Sequence, residues 1–257
     1  AHDDDIETQP ADDAARKLAL KLTPRQRLER MISDMPAVLD NYFELADLLI
    51  AEHKHLDAER TLSRALHASG GDPAIRLRLE DVQMQRARHE LSLEERKARK
   101  EKTERAAELA REMRDAVNRL ELEIYGARAE RYPQDLDVKF ELAVRLKRAG
   151  NYAEALKHFD LAREAPQHKA VSLLEAGECL HHLKSYDKAL KCYAKAAETA
   201  DDEECRKLAL YRGGVLATGM KRYDEAGQFL KRLAKLDPQY KDVEDRLDKI
   251  GRIRDKG

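Results

Sequence analysis

One pattern recurs along this chain at near-constant spacing, and it limits the fold more than anything else in the 257 residues. Tyr152-Ala-Glu-Ala155 runs on to Phe159 and Ala162, Tyr186-Asp-Lys-Ala189 to Tyr193 and Ala196, and Tyr223-Asp-Glu-Ala226 to Phe229 and Leu230. Ala155 and Ala189 stand 34 residues apart, Ala189 and Ala226 37. A further copy, Leu56-Asp-Ala58 with Leu62 and Ala65, lies upstream. Each copy follows an amphipathic helix, at 42–51, 138–149, 171–183 and 208–220. A two-helix unit of this length cannot bury its apolar stripe alone, whereas stacked units can.

Composition agrees with helices throughout. Ala, Leu, Glu, Lys and Arg dominate, with only 11 Gly and 7 Pro, and such side chains lose little rotamer freedom on a helix. Charged residues reach 39% and apolar ones 42%, so the chain is heavily solvated yet able to bury a core. Lys plus Arg is 49 against 50 for Asp plus Glu, a balance with no long-range pull on nucleic acid. No apolar run is long enough to span a bilayer, and no secretory signal is visible. The reading is cytoplasmic, with an upstream anchor or signal left open because the first residue is Ala1. Cys179, Cys192 and Cys205 lack metal-ligand spacing and are read as small buried hydrophobes.

The small residue within a 34-residue helix–turn–helix resembles the tetratricopeptide repeat family. The residues carrying the resemblance in the first helices are Tyr42, Leu45-Ala46 and Leu49; Leu142-Ala143 and Leu146; Ala176-Gly177 and Leu180; and Gly213-Gly214 and Ala217. Turn signals at Ala149-Gly150-Asn151 and Leu183-Lys184-Ser185, with closing prolines at Pro133 and Pro238, complete it. The family's usual Trp is missing, with Tyr42, Lys139, Leu173 and Leu210 in its place. The resemblance covers about 37–240 and implies an all-α, right-handed α-solenoid of helical hairpins.

One repeat departs from the period. Ala58 and Ala155 are 97 residues apart, 29 more than two lengths of 34. No Gly or Pro occurs between Ala74 and Tyr125, so the insertion is expected to be helical. Residues 94–123 hold nine acidic and nine basic residues over a stripe at Ala106, Leu109, Met113, Ala116, Leu120 and Ile124, which has coiled-coil spacing. This predicts an elongated, charged antiparallel hairpin turning near Lys100–Glu104 with Thr103 as cap. A break at Ser92 is the alternative, since Ser92-Leu-Glu-Glu95 is also a capping box. The expected organisation is a disordered acidic tail at 1–13, N-terminal capping helices at 14–36, repeats at 37–73, 74–134 (with the hairpin), 135–168, 169–206 and 207–239, and a capping helix at 240–257.

No sequence pattern offers catalysis. P-loop, dinucleotide loop, nucleophile elbow, zinc and EF-hand motifs are absent, so no catalytic, cofactor-binding or metal residue is assigned and the chain is read as a non-enzyme. Glu95–Arg99 and Glu101–Arg105 sit at i,i+4, as on solvated helix faces. His181-His182 beside Glu178 and Cys179 is read as groove-lining or solvated. His53 and His55 are placed near a helix end, where cationic histidine favours the dipole. The basic run at 96–102 is neutralised by neighbouring glutamates. A nucleic-acid-binding helical repeat is therefore the alternative function, not the leading one.

The resemblance implies that the first helix of each repeat lines a groove for peptides or helices. Carried onto this sequence, the lining is Phe43 and Asp47 in the first repeat, Phe140, Glu141 and Val144 in the third, Leu174 and Glu178 in the fourth, and Tyr211, Arg212 and Val215 in the fifth, with Glu44 and Glu175 beside them. The set is apolar and acidic. The expected function is a protein-interaction scaffold, without a cofactor, whose ligand is an apolar or basic peptide or helix. The hairpin is a second candidate surface, and self-association through it is open.

Overall fold

A computed structural model of the chain describes residues 22–254. The acidic tail and the helix expected from Ala14 lie outside or at the edge of that range. Twelve helices and no strand occur among the described residues. The chain divides into two units, Ala1–Val117 and Asn118–Gly257, with the division inside one long helix.

The first unit holds α1 (Pro24–Asp34), α2 (Leu39–Ala51), α3 (His55–Ala68), α4 (Pro73–Glu101) and the first half of α5 (Glu104–Arg131). α1 starts on a capping box. Thr23 accepts from the Gln26 backbone N–H at 3.3 Å, and Gln26 Oε1 accepts from the Thr23 N–H at 3.0 Å. Successive helices α1 to α4 pack in order around Tyr42, Leu45, Ala46, Leu49, Ala58, Leu62 and Ile75. Ala46, Ala58 and Ala65 are fully buried, and their small side chains let the helices approach closely.

α4 is unbroken across Ser92, whose hydroxyl donates to the His89 carbonyl at 2.7 Å instead of capping a new helix. α4 and α5 turn at Lys102-Thr103. Lys102 takes the left-handed conformation, and Thr103 Oγ1 accepts from the Ala106 N–H at 3.2 Å. Two expectations for this hairpin are corrected. The buried line on α5 passes through Ala106, Ala110, Val117 and Ile124, while Leu109 is 40% exposed and Ala116 lies on the surface. Two alanines and two larger residues, Val117 and Ile124, thus share the buried line. Glu95 pairs with Arg114 across the hairpin at 2.7 Å, not with Arg99. Glu101 and Arg105 fall on either side of the turn and share no helix face.

The second unit contains the rest of α5, then α6 (Leu136–Arg148), α7 (Tyr152–Ala162), α8 (Pro166–His182), α9 (Tyr186–Thr199), α10 (Glu203–Gly219), α11 (Tyr223–Leu236) and α12 (Val243–Arg254). α8 and α10 begin about five residues earlier than the apolar pattern suggests. Pro166 occupies the first turn of α8, and Asp202 accepts from the Cys205 N–H at 2.7 Å to cap α10. From α6 on, each helix packs on the next, and the first helices also touch one another, α6 on α8 and α8 on α10. That double neighbourhood is how a helical solenoid stacks. α12 closes the stack through Val243 and Ile250, while Ile253 is 44% exposed near the end of the helix.

Glycine and alanine set the spacing within each hairpin. Phe159 is fully buried beside Ala143. A Cβ on Gly177 would lie 2.6 Å from the Tyr193 ring, one on Gly213 2.6 Å from the Phe229 ring, and one on Gly214 2.6 Å from Leu230. The first helix thus supplies the gap that an aromatic or leucine of the second helix fills. Cys179 and Cys205 are buried and Cys192 partly so, all as free thiols. Burial pushes the Cys179 thiol up to about 12, which removes it from thiolate chemistry.

Candidate functional site

The first helices α6, α8 and α10 present one side chain line each on a shared face. On α6 it is Phe140, Val144 and Lys147; on α8 His168, Val171, Glu175 and Glu178; on α10 Tyr211, Arg212 and Val215. Spacings of three and four residues keep the α6 and α8 sets on one side of their helices, and on α10 relate both Tyr211 and Arg212 to Val215.

Charge pairs cross-link the three helices. Lys147 Nζ contacts Glu175 and lies 2.6 Å from Glu178 Oε2. Arg212 Nη1 lies 2.9 Å from the same Glu178 oxygen. Burial disfavours the Lys147 ammonium, but its two carboxylate hydrogen bonds outweigh that and raise its pKa. Burial likewise opposes the Glu178 carboxylate, and Lys147 and Arg212 more than compensate, holding it below the usual carboxylate range. Two cations and two carboxylates therefore cancel along the face.

The apolar members are half-buried. Phe140 stacks on the His168 ring at 4.3 Å and meets Phe159 edge-on at 6.1 Å, while His168 Nε2 lies 2.6 Å from Asp137. Val144 packs partly against the core, and Tyr211 donates its hydroxyl to Asp242 at 2.8 Å. Leu174, 3% exposed, is core: its position on α8 faces α9 and α10, so it offers nothing to a ligand. Glu141 pairs with Arg145, which also reaches Glu121 at 2.9 Å in the interior and lies over the Tyr125 ring at 4.6 Å.

Phe43 and Asp47 belong to the first unit, where Phe43 is half-buried against that unit's core and Asp47 pairs with Arg78. The carboxylates that the sequence offers to a ligand thus mostly have internal partners. Lys147, His168 and Val171 were missed by sequence reasoning. Their signal was available: Lys147 lies three residues beyond Val144, and His168 one helical turn before Val171.

The histidines behave differently from their sequence reading. His182 stacks on Tyr152 at 4.2 Å and His181 tilts against Tyr186 at 5.6 Å. His55 opens α3, where the dipole disfavours a cation, and its ring sits 5.1 Å from His89 and 6.2 Å from His53. Burial first, then these two neighbours, lower its pKa. No group of three His, Cys, Asp or Glu side chains among the described residues is placed to hold a metal ion. Among the described residues, no helix is long and apolar enough to cross a membrane.

The tetratricopeptide repeat family model matches residues 170–203 and 209–240, the hairpins α8–α9 and α10–α11. Those two hairpins are tetratricopeptide repeats. Its fold is similar to that of YrrB, described as a tetratricopeptide repeat protein with an unusual peptide-binding site: TM-score 0.50, 16% identity, covering 86% of this chain and 97% of that one. It is also similar to a tetratricopeptide repeat protein from Parabacteroides merdae, with a TM-score of 0.54 and 17% identity over 82% of this chain and 72% of that one. A search of curated proteins by sequence found no match.

Proposed function

We propose that this tetratricopeptide-repeat protein is a non-enzymatic interaction scaffold that binds an apolar, basic segment of a partner protein on the face of α6, α8 and α10. The observation that supports the reading is the cross-linking of three first helices by Lys147, Glu178 and Arg212 beside half-buried Phe140, Val144 and Val215. Paired charges fix the spacing of the helices, while the apolar side chains stay available to a ligand. A preorganised surface of that kind loses little entropy on binding. Glu141 gives the preference for a basic ligand: its side chain is 37% exposed, and the Arg145 guanidinium it pairs with is also engaged by the buried Glu121. The elongated hairpin is the competing surface.

Peptide selection against the intact chain, followed by calorimetry, tests this. Selected peptides are expected to combine aliphatic or aromatic residues with Lys or Arg. Val215→Asp with Glu141→Gln should weaken them at least about tenfold, the size of one lost hot-spot contact, with the helical circular dichroism unchanged. Replacement of Arg88–Glu112 by a short turn should leave their affinity as it was. Binding lost only on shortening the hairpin would transfer the function to α4 and α5.

A further inference from the structure

At the α10 end of this face, two tyrosines hold a cation that belongs to the chain itself. Tyr211 on α10 and Tyr240 in the turn before α12 meet edge-on with centroids 5.9 Å apart. The Lys241 ammonium sits 4.3 Å from the Tyr211 centroid and 5.2 Å from that of Tyr240. Lys241 is exposed and adopts the left-handed backbone conformation, with φ of 52°. Arg246 approaches Tyr211 at 5.5 Å, but its Nε is tied to Asp242 at 2.8 Å. Asp242 also accepts the Tyr211 hydroxyl hydrogen bond and so fixes that ring.

Aromatic faces attract ammonium and guanidinium groups through the ring quadrupole, and more strongly where water is partly excluded. The surroundings add charge. Lys207 is held by Glu203, Glu204 and Asp237 at 2.8–3.3 Å, and Glu204 acts on Tyr240. With Asp242, that makes four carboxylates against Lys207, Lys241, Arg246 and Arg212, the last of which also acts on Tyr240. Without Lys241 the balance is four against three, around two rings already in place.

We propose that Tyr211 and Tyr240 form a recognition subsite for a lysine or arginine side chain of the partner, and that Lys241 occupies it in the free protein as an internal competitor. The inference rests on the function proposed above for the identity of its ligand as a protein segment. Its geometry stands apart from that reading. A partner cation exchanges with Lys241, so the free chain does not expose two bare tyrosine faces beside an excess of carboxylates.

The test is a titration of the full chain, carrying ¹³C-labelled tyrosine, with tetramethylammonium chloride and with N-acetyl-lysine methylamide, against sodium chloride at equal ionic strength. Lys241→Gly is the informative variant, because glycine accepts the positive φ without strain. The Tyr211 and Tyr240 ring resonances are expected to saturate at a concentration roughly fivefold lower in Lys241→Gly than in the parent. Tyr240→Leu in the Lys241→Gly background should abolish the response. Equal titration of parent and variant, no response in the variant, an equal effect of sodium chloride, or a response that survives Tyr240→Leu would each overturn the proposal. A positive ring titration with no peptide selected would sink the binding-face reading alone. The reverse pair of results would sink only the subsite.

Discussion

Gly177→Ala separates close helix packing from helix propensity, because the two predict opposite signs. In an open helix interior this change gains about 1 kcal/mol, since alanine gives up less backbone entropy. At 177 the new Cβ would lie 2.6, 2.8 and 3.1 Å from Cε1, Cδ1 and Cζ of the Tyr193 ring. That ring is 3% exposed and cannot swing into solvent, so α8 and α9 must separate. Overpacking of this kind costs about 1–3 kcal/mol, and the net expectation is a loss of roughly 1–2 kcal/mol. For a chain of this size that lowers the thermal midpoint by about 2–8 °C. Gly227→Ala on α11 is the control: nothing lies within 4 Å of its Cβ position, so it should raise the midpoint by a few degrees. Circular dichroism melting of both variants is the assay, with amide exchange to show that protection falls first in α8 and α9. Gly177→Ala in a Tyr193→Leu background should cost less than it does alone. If Gly177→Ala stabilises as much as Gly227→Ala, the argument from ring contact is wrong.

Three further outcomes are expected. Lys221 caps the turn between α10 and α11 with φ of 61°, a strained conformation for a side chain, so Lys221→Gly should stabilise by about 1 kcal/mol in chemical denaturation. Arg145→Ala takes from the buried Glu121 carboxylate its 2.9 Å ion pair, with Arg148 remaining at 3.6 Å, and should cost up to about 3–5 kcal/mol, with Glu121→Gln in the same chain restoring part of it. His158 has a buried Nδ1 without a partner, and burial, opposed by Glu154 and reinforced by Lys139 and Lys157, lowers its pKa below the usual 6.5. The unfolded chain therefore takes up the proton first on acidification. Stability from this group is full above that value and lost as pH falls below it, and His158→Gln should flatten the decline of the denaturation midpoint between about pH 7.5 and 5.5.

The periodic sequence was enough for the helical hairpins, for the place of the long insertion and for the small residues opposite Phe159, Tyr193 and Phe229. These follow from spacing along the chain: a three- or four-residue period fixes which side chains share a helix face, and a small residue every 34 marks where two helices must meet. Even the turn at Lys102-Thr103 was legible, because Thr103 is a good N-cap in a run without Gly or Pro. The rotation of α5 was not. Leu109 and Ala110 are neighbours in sequence, and only the tertiary packing decides that Ala110 is buried and Leu109 exposed.

The charges divide in the same way. From sequence, Glu95 and Arg99 make a sound local pair, and Glu141 and Glu178 look like acids open to a ligand. In the fold, Glu95 turns to Arg114, and Glu178 lies between Lys147 and Arg212, 31 and 34 residues away in sequence. Local periodicity determines helices because their hydrogen bonds join near neighbours. Which carboxylate meets which cation depends on residues a whole repeat apart, and only the stacking of α6, α8 and α10 brought those together.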